Sequence, residues 1–472
     1  MRVFIESHGC RLNQAEGDAM GALLAGAGHV RVDEVEGAEL IVVNGCTVTH
    51  GADADARKRI RALHKLRPDA RVVVTGCFAN MHADLAAELP GVAAVLGNAE
   101  KDDIVRIAST LEARPRTRLP VIQALTPLSR AREGRRPHIQ RPPLTHLPAA
   151  PSSRRTRAYL RVQDGCNYQC SFCIVPQVRG RSRSLPSGEA AAQLQRLLAA
   201  GIPEVALTGV HLGTWGWEMG ERRPGLARLL RELDTVLRGS LDTPGRVRLG
   251  SLDPHELSSD IIDVVANGAP RLARHVHLPV QSGDDGVLAR MRRSHRRADL
   301  GRAVQELARR VSGVAIGTDM IVGFPGEDDA AFEASVGLFD ELPLHYAHVF
   351  RYSPREGTEA AGWTDRADPD QSSRRNAVLR QRVARNWLRF RESQLGETLE
   401  VIVWRRRART SGRLVGLTDN YIKVEFDGPD ALMGGRARVR LEAVRGERSS
   451  GVLVAPGWDA PDMPDMPDMP TG

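Results

Sequence analysis

Residues 164–173 read DGCNYQCSFC and bring three cysteines close together in the chain, at Cys166, Cys170 and Cys173. Three thiolates at this spacing can surround one compact inorganic cluster. Because no fourth cysteine follows nearby, a cubane iron–sulfur cluster held here would keep one iron free of protein ligands and able to chelate a small molecule. The alternative is a structural zinc site. Closed zinc sites need a fourth cysteine or histidine, and the nearest histidines, His146 and His211, are not at a zinc-ribbon distance.

The composition is that of a globular protein of several domains. The chain has 472 residues, of which 42% are hydrophobic and 26% are charged, so we expect two to four domains. No uninterrupted apolar stretch is long enough to cross a bilayer, and the N-terminus lacks the apolar core of a signal peptide. We therefore expect a soluble cytoplasmic protein without a membrane partner. In that compartment its six cysteines would stay reduced and serve as metal ligands rather than form disulfides.

The formal net charge of +8 suits a polyanionic partner such as a nucleic acid. A merely solvated basic surface would give the same balance, so charge alone leaves both interpretations open.

Residues 1–112 alternate short apolar runs with segments of helical spacing, which predicts an N-terminal α/β domain with a parallel sheet. The predicted strands are Arg2–Glu6, Glu39–Val43, Arg71–Thr75 and Ala93–Leu96. Residues 113–155 are rich in Arg and Pro and carry little periodic apolar signal, so we interpret them as a basic, extended linker.

Residues 156–395 form a second α/β series. Its predicted strands are Tyr159–Val162, Glu204–Thr208, Arg246–Leu249, His275–Pro279, Val314–Val322 and His345–Tyr352. Six parallel strands are fewer than the eight of a closed α/β barrel, so we expect an open, partial barrel. Because the first strand leads into residues 164–173, the three cysteines should lie at the carboxyl end of this barrel, where α/β barrels carry out their chemistry.

Residues 396–455 change class and predict a small β-barrel of the oligonucleotide-binding type. Its predicted strands are Thr398–Trp404, Ser411–Leu417, Tyr421–Phe426, Arg436–Leu441 and Gly451–Val454. Arg405, Arg406, Arg407 and Arg409 would crowd one rim, either against RNA or only as a solvated hairpin edge. Residues 456–472 end in a Pro-Asp-Met repeat and are expected to be disordered.

The remaining cysteines, Cys10, Cys46 and Cys77, each lie within a few residues of the end of a predicted strand in the first domain. The carboxyl ends of neighbouring parallel strands line one crevice, so the fold should bring these thiols together. Each one taken alone could be an ordinary buried thiol. Three at equivalent positions favour a second cluster with one free iron.

The chain resembles the methylthiotransferases, radical S-adenosylmethionine (SAM) enzymes with an N-terminal cysteine domain, a central partial (β/α)6 barrel and a C-terminal TRAM domain. The resemblance covers nearly all of the chain except the linker and the tail. The stretches that carry it are GCRLNQ at residues 9–14, CTVT at 46–49, VTGC at 74–77, HLPVQSG at 277–283 and GTDMIVGFPG at 317–326.

The resemblance implies two [4Fe–4S] clusters and SAM as cofactors. The cluster at Cys166, Cys170 and Cys173 would bind SAM and cleave it on one-electron reduction. The cluster at Cys10, Cys46 and Cys77 would carry a sulfide that is methylated by a second SAM and delivered as methylthio to C2 of an adenine. Further implied partners are the tRNA anticodon stem-loop and an electron donor such as a flavodoxin or ferredoxin.

Five more residues are candidate SAM contacts, because they lie beside the cysteines, at strand ends or in a glycine motif: Phe172, Thr208, Ser251, Gln281 and Gly317. Each except Phe172, the aromatic of the cysteine motif, has the alternative of a capping or turn residue.

The residues after Cys46 look most like the branch that acts on threonylcarbamoyladenosine in tRNA. Three alternatives remain: isopentenyladenosine in tRNA, an aspartate of a ribosomal protein, and a non-catalytic metal-bound RNA-binding protein. The chain departs from the family pattern at Gly45, where threonine is usual, at His211, where Asn is usual, and at Arg351, where Pro is common.

Overall fold

The computed structural model describes residues 1–113, 121–124, 155–220, 225–240 and 244–457. The N-terminal unit is one parallel sheet with the strand order β2-β1-β3-β4-β5-β6. Its strands are β1 (Arg2–Ser7), β2 (Val30–Val32), β3 (Leu40–Gly45), β4 (Arg71–Gly76), β5 (Val92–Leu96) and β6 (Ile122–Ala124). Its helices are α1 (Arg11–Gly26), α2 (His50–Leu66), α3 (Cys77–Met81), α4 (Ala83–Ala87) and α5 (Ile104–Ala113).

The central strands of this sheet are buried on both faces. Every residue of β3 is buried, and the valines of β4 divide between two apolar cores on opposite sides of the sheet. Strands buried on both faces are near-continuous apolar runs in the sequence, which makes them predictable. The four predicted strands are confirmed. The two edge strands, β2 and β6, have three residues each and were missed. Strand β6 also corrects the linker prediction, since Ile122–Ala124 extends the sheet by pairing with β5. Most of the predicted linker lies outside the described residues.

The central unit contains six parallel strands in two three-stranded sheets, β11-β10-β7 and β12-β13-β14. Isolated parallel bridges, Val247 to Leu272 and Ser251 to His277, join the two sheets into one open barrel wall. The six parallel strands are β7 (Arg157–Arg161), β10 (Glu204–Thr208), β11 (Arg246–Arg248), β12 (His275–Gln281), β13 (Ala315–Val322) and β14 (Tyr346–Arg351). Two short strands, β8 (Gln163–Asp164) and β9 (Arg183–Ser184), form a separate antiparallel pair. The helices are α6 (Val175–Arg179), α7 (Ser187–Ala199), α8 (Gly225–Gly239), α9 (Ser259–Gly268), α10 (Asp285–Arg290), α11 (Arg297–Arg310), α12 (Asp329–Glu341) and α13 (Pro369–Glu392). The predicted partial barrel is confirmed.

The last unit is a closed five-stranded barrel of order β15-β16-β17-β19-β18, as the sequence predicts. Its strands are β15 (Thr398–Arg407), β16 (Leu414–Thr418), β17 (Lys423–Phe426), β18 (Arg436–Arg445) and β19 (Arg448–Pro456). The predicted disordered tail lies almost wholly outside the described residues. Among the helices that the structure describes, none combines the length and the apolar character needed to span a membrane.

A buried ion network joins the small barrel to β11. Arg246 and Arg248 both contact the Glu204 carboxylate. Their guanidinium groups also donate to backbone carbonyls of the small barrel, including those of Leu417 and Thr418. Burial alone would raise the pKa of Glu204, but Arg248, Arg246 and Arg157 lower it well below its ordinary value. The interface therefore depends on one carboxylate that stays ionised.

Replacing Glu204 by Gln should lower the free energy of unfolding by roughly 3–5 kcal/mol, because it leaves buried arginines without a counter-charge. The matched control is Glu442→Gln, which removes the exposed pair with Arg440 and should cost about 0–1 kcal/mol. Urea unfolding of the full chain measures both. Equal effects of the two substitutions would contradict the role assigned to Glu204.

Candidate functional site

The loop that carries Cys166, Cys170 and Cys173 is closed at its base by the antiparallel pair β8 and β9. Gly165 begins the loop with φ +72°, and a Cβ there would lie 2.0 Å from the carbonyl oxygen of Arg181. The Cys166 amide donates to the carbonyl of Gly180 at 2.9 Å. The chain therefore doubles back tightly, and the three cysteines lie partly exposed at the carboxyl end of β7, as predicted.

Cys166, Cys170 and Cys173, called here the first cysteine trio, have two basic neighbours. Nδ1 of His211 lies 3.6 Å from Sγ of Cys166, and its Nε2 lies 2.9 Å from Glu256. Burial alone would lower the pKa of His211, but Cys166 and Glu256 raise it to about 9. Nη1 of Arg293 donates to Sγ of Cys170 at 3.6 Å. Both neighbours favour negative charge on sulfur, which metal ligation requires.

The thiols of this trio also interact with one another. Burial, together with negative charge on Cys170 and Cys166, raises the pKa of Cys173 to about 12. A neutral thiol must lose its proton to bind a metal, so ligation here would release protons.

The second cysteine trio forms where the sequence predicts it. Cys10 precedes α1 after β1, Cys46 follows β3, and Cys77 begins α3 after β4. These three strands are neighbours in the sheet, so their carboxyl ends share one crevice. Burial, together with negative charge on Cys77 and Cys10, raises the pKa of Cys46 to about 11. The fold thus brings together thiols that are 36 and 31 residues apart in the chain.

Glycines make room around this trio. Gly9 has φ +86°, and a Cβ there would lie 2.5 Å from Cβ and 2.9 Å from Sγ of Cys46. At Gly45, a Cβ would lie 2.9 Å from Cβ of Phe78. Gly45 therefore allows the buried Phe78 side chain, which follows Cys77, to pack close to the backbone.

Arg179 connects the two trios. It is buried in α6, six residues after Cys173, and its guanidinium donates to Glu16 and Asn13 of α1 and to Asp164 beside the cysteine loop, at 2.6–3.1 Å. Lys101 also pairs with Glu16. Although burial alone would raise the pKa of Glu16, Arg179 and Lys101 lower it.

Apolar packing brings the same segments together. Cys77 lies in one apolar cluster with Ile174 and Val178 of the Cys173 segment. Asn98 donates to the carbonyl of Val178 at 2.8 Å and to Sγ of Cys77 at 3.7 Å. The two trios therefore lie on facing segments of neighbouring units. Sequence analysis missed Arg179, Glu16 and Arg293, because nothing in their local sequence separates them from other charged residues.

A second link holds the loop after Cys46 against the barrel. Arg355, which follows β14, is buried and donates to Thr47 at 2.9 Å and to Asp53 at 2.6 Å. Thr47 also donates to Asp53 at 2.5 Å. The residues after Cys46 that suggested the threonylcarbamoyladenosine branch are thus part of this contact.

Spacing of the ligand atoms argues against a single zinc ion in either trio. Among the described residues, one group has three candidate ligand atoms within 4.8 Å of one another, and it consists of His277, Asp319 and His348. The sulfur atoms of neither cysteine trio lie that close together. A tetrahedral zinc with bonds of about 2.3 Å would hold its thiolates about 3.8 Å apart.

The candidate SAM contacts surround the concave side of the barrel. Thr208 ends β10, Gln281 ends β12 with φ 76°, and Oγ of Ser251 lies 2.9 Å from Nδ1 of His277. Phe172 packs edge-on against Phe324 at 6.1 Å. Gly317 lies within β13, where a Cβ would fall 2.1 Å from Cζ of Tyr346, so packing alone accounts for this glycine. Contacts of all five with SAM stay predictions.

Comparisons with known proteins agree with this architecture. Residues 2–97 match the model described as Uncharacterized protein family UPF0004, and residues 160–339 match that of the Radical SAM superfamily. The threonylcarbamoyladenosine tRNA methylthiotransferase MtaB of Bacillus subtilis (strain 168) is 32% identical over 92% of this chain and 92% of its own length. The chain belongs to the radical SAM methylthiotransferase family.

Other relatives in this methylthiotransferase family are named for a different modified adenosine. The tRNA-2-methylthio-N(6)-dimethylallyladenosine synthase of Acidothermus cellulolyticus is 32% identical over 91% of this chain and 83% of its own length. A solved structure of the radical S-adenosylmethionine methyltransferase TsrM from Kitasatospora setae, at 17% identity, superposes with a TM-score of 0.54 over 76% of this chain and 75% of that one. The TsrM likeness shows the fold alone.

The residues present fit what a methylthiotransferase of this family needs. Each trio offers three thiols, a count that leaves one iron of a [4Fe–4S] cluster without a protein ligand. None of the six cysteines, all of which lie in the described ranges, is in a disulfide. The predicted metal ligands are thus available in both trios.

Anaerobic reconstitution should give roughly eight iron atoms per chain, four for each trio. Cys46→Ala and Cys170→Ala should each lower the iron content to about four, and the double variant should retain almost none. Iron and sulfide analysis with Mössbauer spectroscopy checks this. Stoichiometric zinc, or full iron content in either single variant, would contradict the assignment of two separate clusters.

Proposed function

We propose that this enzyme transfers a methylthio group to C2 of N6-threonylcarbamoyladenosine next to the anticodon of tRNA, using two [4Fe–4S] clusters and SAM. The observation that carries the proposal is the pair of cysteine trios on facing segments, joined by Arg179. The relatives named for threonylcarbamoyladenosine and the residues after Cys46 support the choice of base. A tRNA substrate would place the enzyme in the cytoplasm.

When bound, the two clusters and SAM supply a radical that can act on an unactivated aromatic C–H and the sulfur that replaces the hydrogen. The protein contributes position and charge. Arg293 and His211 contact Cys170 and Cys166, while Arg179 and Glu16 fix α1, and with it Cys10, against the loop of the first trio. Such preorganised contacts align two reacting centres that come from different units.

The small barrel and neighbouring basic residues would hold the RNA. On β15, Trp404 is flanked by Arg406 at 5.2 Å and by Lys423 at 5.7 Å, an aromatic surface with cations on it. Arg405, Arg406 and Arg409 are exposed, whereas Arg407 pairs with Asp430 at 2.6 Å and stabilises its own hairpin. The base next to the anticodon is already unpaired, so extruding it costs little. An electron donor such as a flavodoxin or ferredoxin would reduce the clusters.

Deleting the gene should remove the 2-methylthio mark from threonylcarbamoyladenosine in bulk tRNA, and the wild-type gene should restore it. Mass spectrometry of digested nucleosides measures this. If that nucleoside is unchanged while isopentenyladenosine loses its 2-methylthio mark, the second candidate base, supported by relatives of similar identity, is the substrate.

The two trios should differ in what their loss abolishes. Cys170→Ala should abolish reductive cleavage of SAM, because it removes a ligand of the cluster that binds SAM. Cys46→Ala should keep cleavage and lose methylthiolation. Quantifying 5′-deoxyadenosine and the modified nucleoside in the same assay separates the two effects, and identical phenotypes would refute the division of labour.

A further inference from the structure

Arg11 follows Cys10 directly in the chain. It is the first residue of α1, and Ala15 one turn later packs against Tyr159 of β7 and Ala206 of β10. Their sequence neighbours Leu160 and Leu207 belong to the outer core that the surrounding helices cover. Side chains alternate along a strand, so α1 packs on the concave face of the barrel.

Opposite α1, the last parallel strand of the central unit, β14, carries a row of aromatic side chains on the same concave face. Tyr346, His348 and Phe350 alternate along β14, while Ala347 and Val349 between them pack on the outer core. We call Tyr346, His348, Phe350 and Tyr421, which stacks on Tyr346 at 5.4 Å, the edge wall. His348 is exposed and Phe350 is 47% exposed, so the wall faces open space.

Arg11 reaches this wall without an anionic partner. Its Nη2 lies 3.5 Å from the hydroxyl of Tyr421, at the limit of a hydrogen bond, and no carboxylate in the described ranges pairs with it. The other arginines around the two trios do have carboxylate partners: Arg161 and Arg179 with Glu16, Arg183 with Asp164, Arg293 with Asp253, and Arg355 with Asp53. Asp319, beside the wall, lies 3.3 Å from Nε2 of His277 instead.

We propose that Arg11 binds the carboxylate of the threonylcarbamoyl group and so selects this base over uncharged adenosine derivatives. A half-buried guanidinium beside aromatic rings is a strong site for a carboxylate, because two N–H groups can donate to its two oxygens. The isopentenyl group is apolar and offers no such partner. This inference rests on the proposed function.

The position of Arg11 fits the geometry of the base. C2 and C6 flank N1 of adenine, so the substituent on N6 and the reacting C2 lie on the same edge of the ring. Cys10 is a predicted ligand of the cluster that supplies sulfur to C2, and the Cα atoms of consecutive residues are about 3.8 Å apart. A residue next to Cys10 can therefore reach the N6 substituent while C2 faces the cluster.

The test compares three anticodon stem-loop RNAs that differ only at the base: threonylcarbamoyladenosine, its methyl ester, and isopentenyladenosine. Fluorescence anisotropy measures their Kd for the iron-loaded full chain with neither SAM nor reductant present. Wild-type protein should bind the free carboxylate at least roughly tenfold more tightly than the ester, because the ester lacks the negative charge that strengthens hydrogen bonds from a guanidinium.

Arg11→Gln should bind the acid and the ester about equally, and Arg11→Lys should keep part of the preference through its charge. The control is Arg374→Gln on the surface of α13, which should change all three affinities alike. The inference is overturned if wild-type protein does not distinguish acid from ester, or if Arg11→Gln keeps the wild-type ratio. Failure of the proposed function is seen separately, as wild-type methylthiolation of the isopentenyladenosine RNA and not of the threonylcarbamoyladenosine RNA.

Discussion

The buried guanidinium of Arg179 is the contact on which the arrangement of the site depends. It joins α1 of the N-terminal unit to the cysteine loop of the barrel through Glu16 and Asp164. A buried ion pair of this kind adds little net stability, but losing one partner leaves an uncompensated charge in the interior. The network therefore tolerates few alternative positions of the two units and holds the two cysteine trios in a defined relation.

The incomplete barrel leaves a side against which the other two units pack. A closed barrel would fill its interior with side chains from all its strands. Here six strands leave one side open, α1 packs on the concave face near β7, and Tyr421 of the small barrel reaches Arg11 from the other side. All three units thus contact one another around α1, and the small barrel is held there by Glu204 and its arginines.

Much of this could be predicted because the signals are local. Apolar runs such as Ile41–Val43 predict buried strands, and cysteines at strand ends predict a shared crevice. Short edge strands were missed, since Val30–Val32 and Ile122–Ala124 form strands only because a longer neighbour pairs with them. The prediction that Gly317 contacts SAM stays a prediction, and the structure shows Tyr346 packed where a Cβ at this position would lie.

The sequence by itself determined the chemical inventory: six cysteines in two sets of three, the alternation of strands and helices that places each set at a sheet's carboxyl edge, and a separate small barrel. These features follow from residue spacing and hydrophobic periodicity, which can be read from the sequence alone. Only the tertiary structure decided which charges surround the thiols. Arg179 and Glu16 are 163 residues apart, Arg355 and Asp53 are 302 apart, and Arg11 and Tyr421 are 410 apart. Contacts between residues so far apart in the sequence form when folded units pack against one another, and no local sequence pattern predicts them.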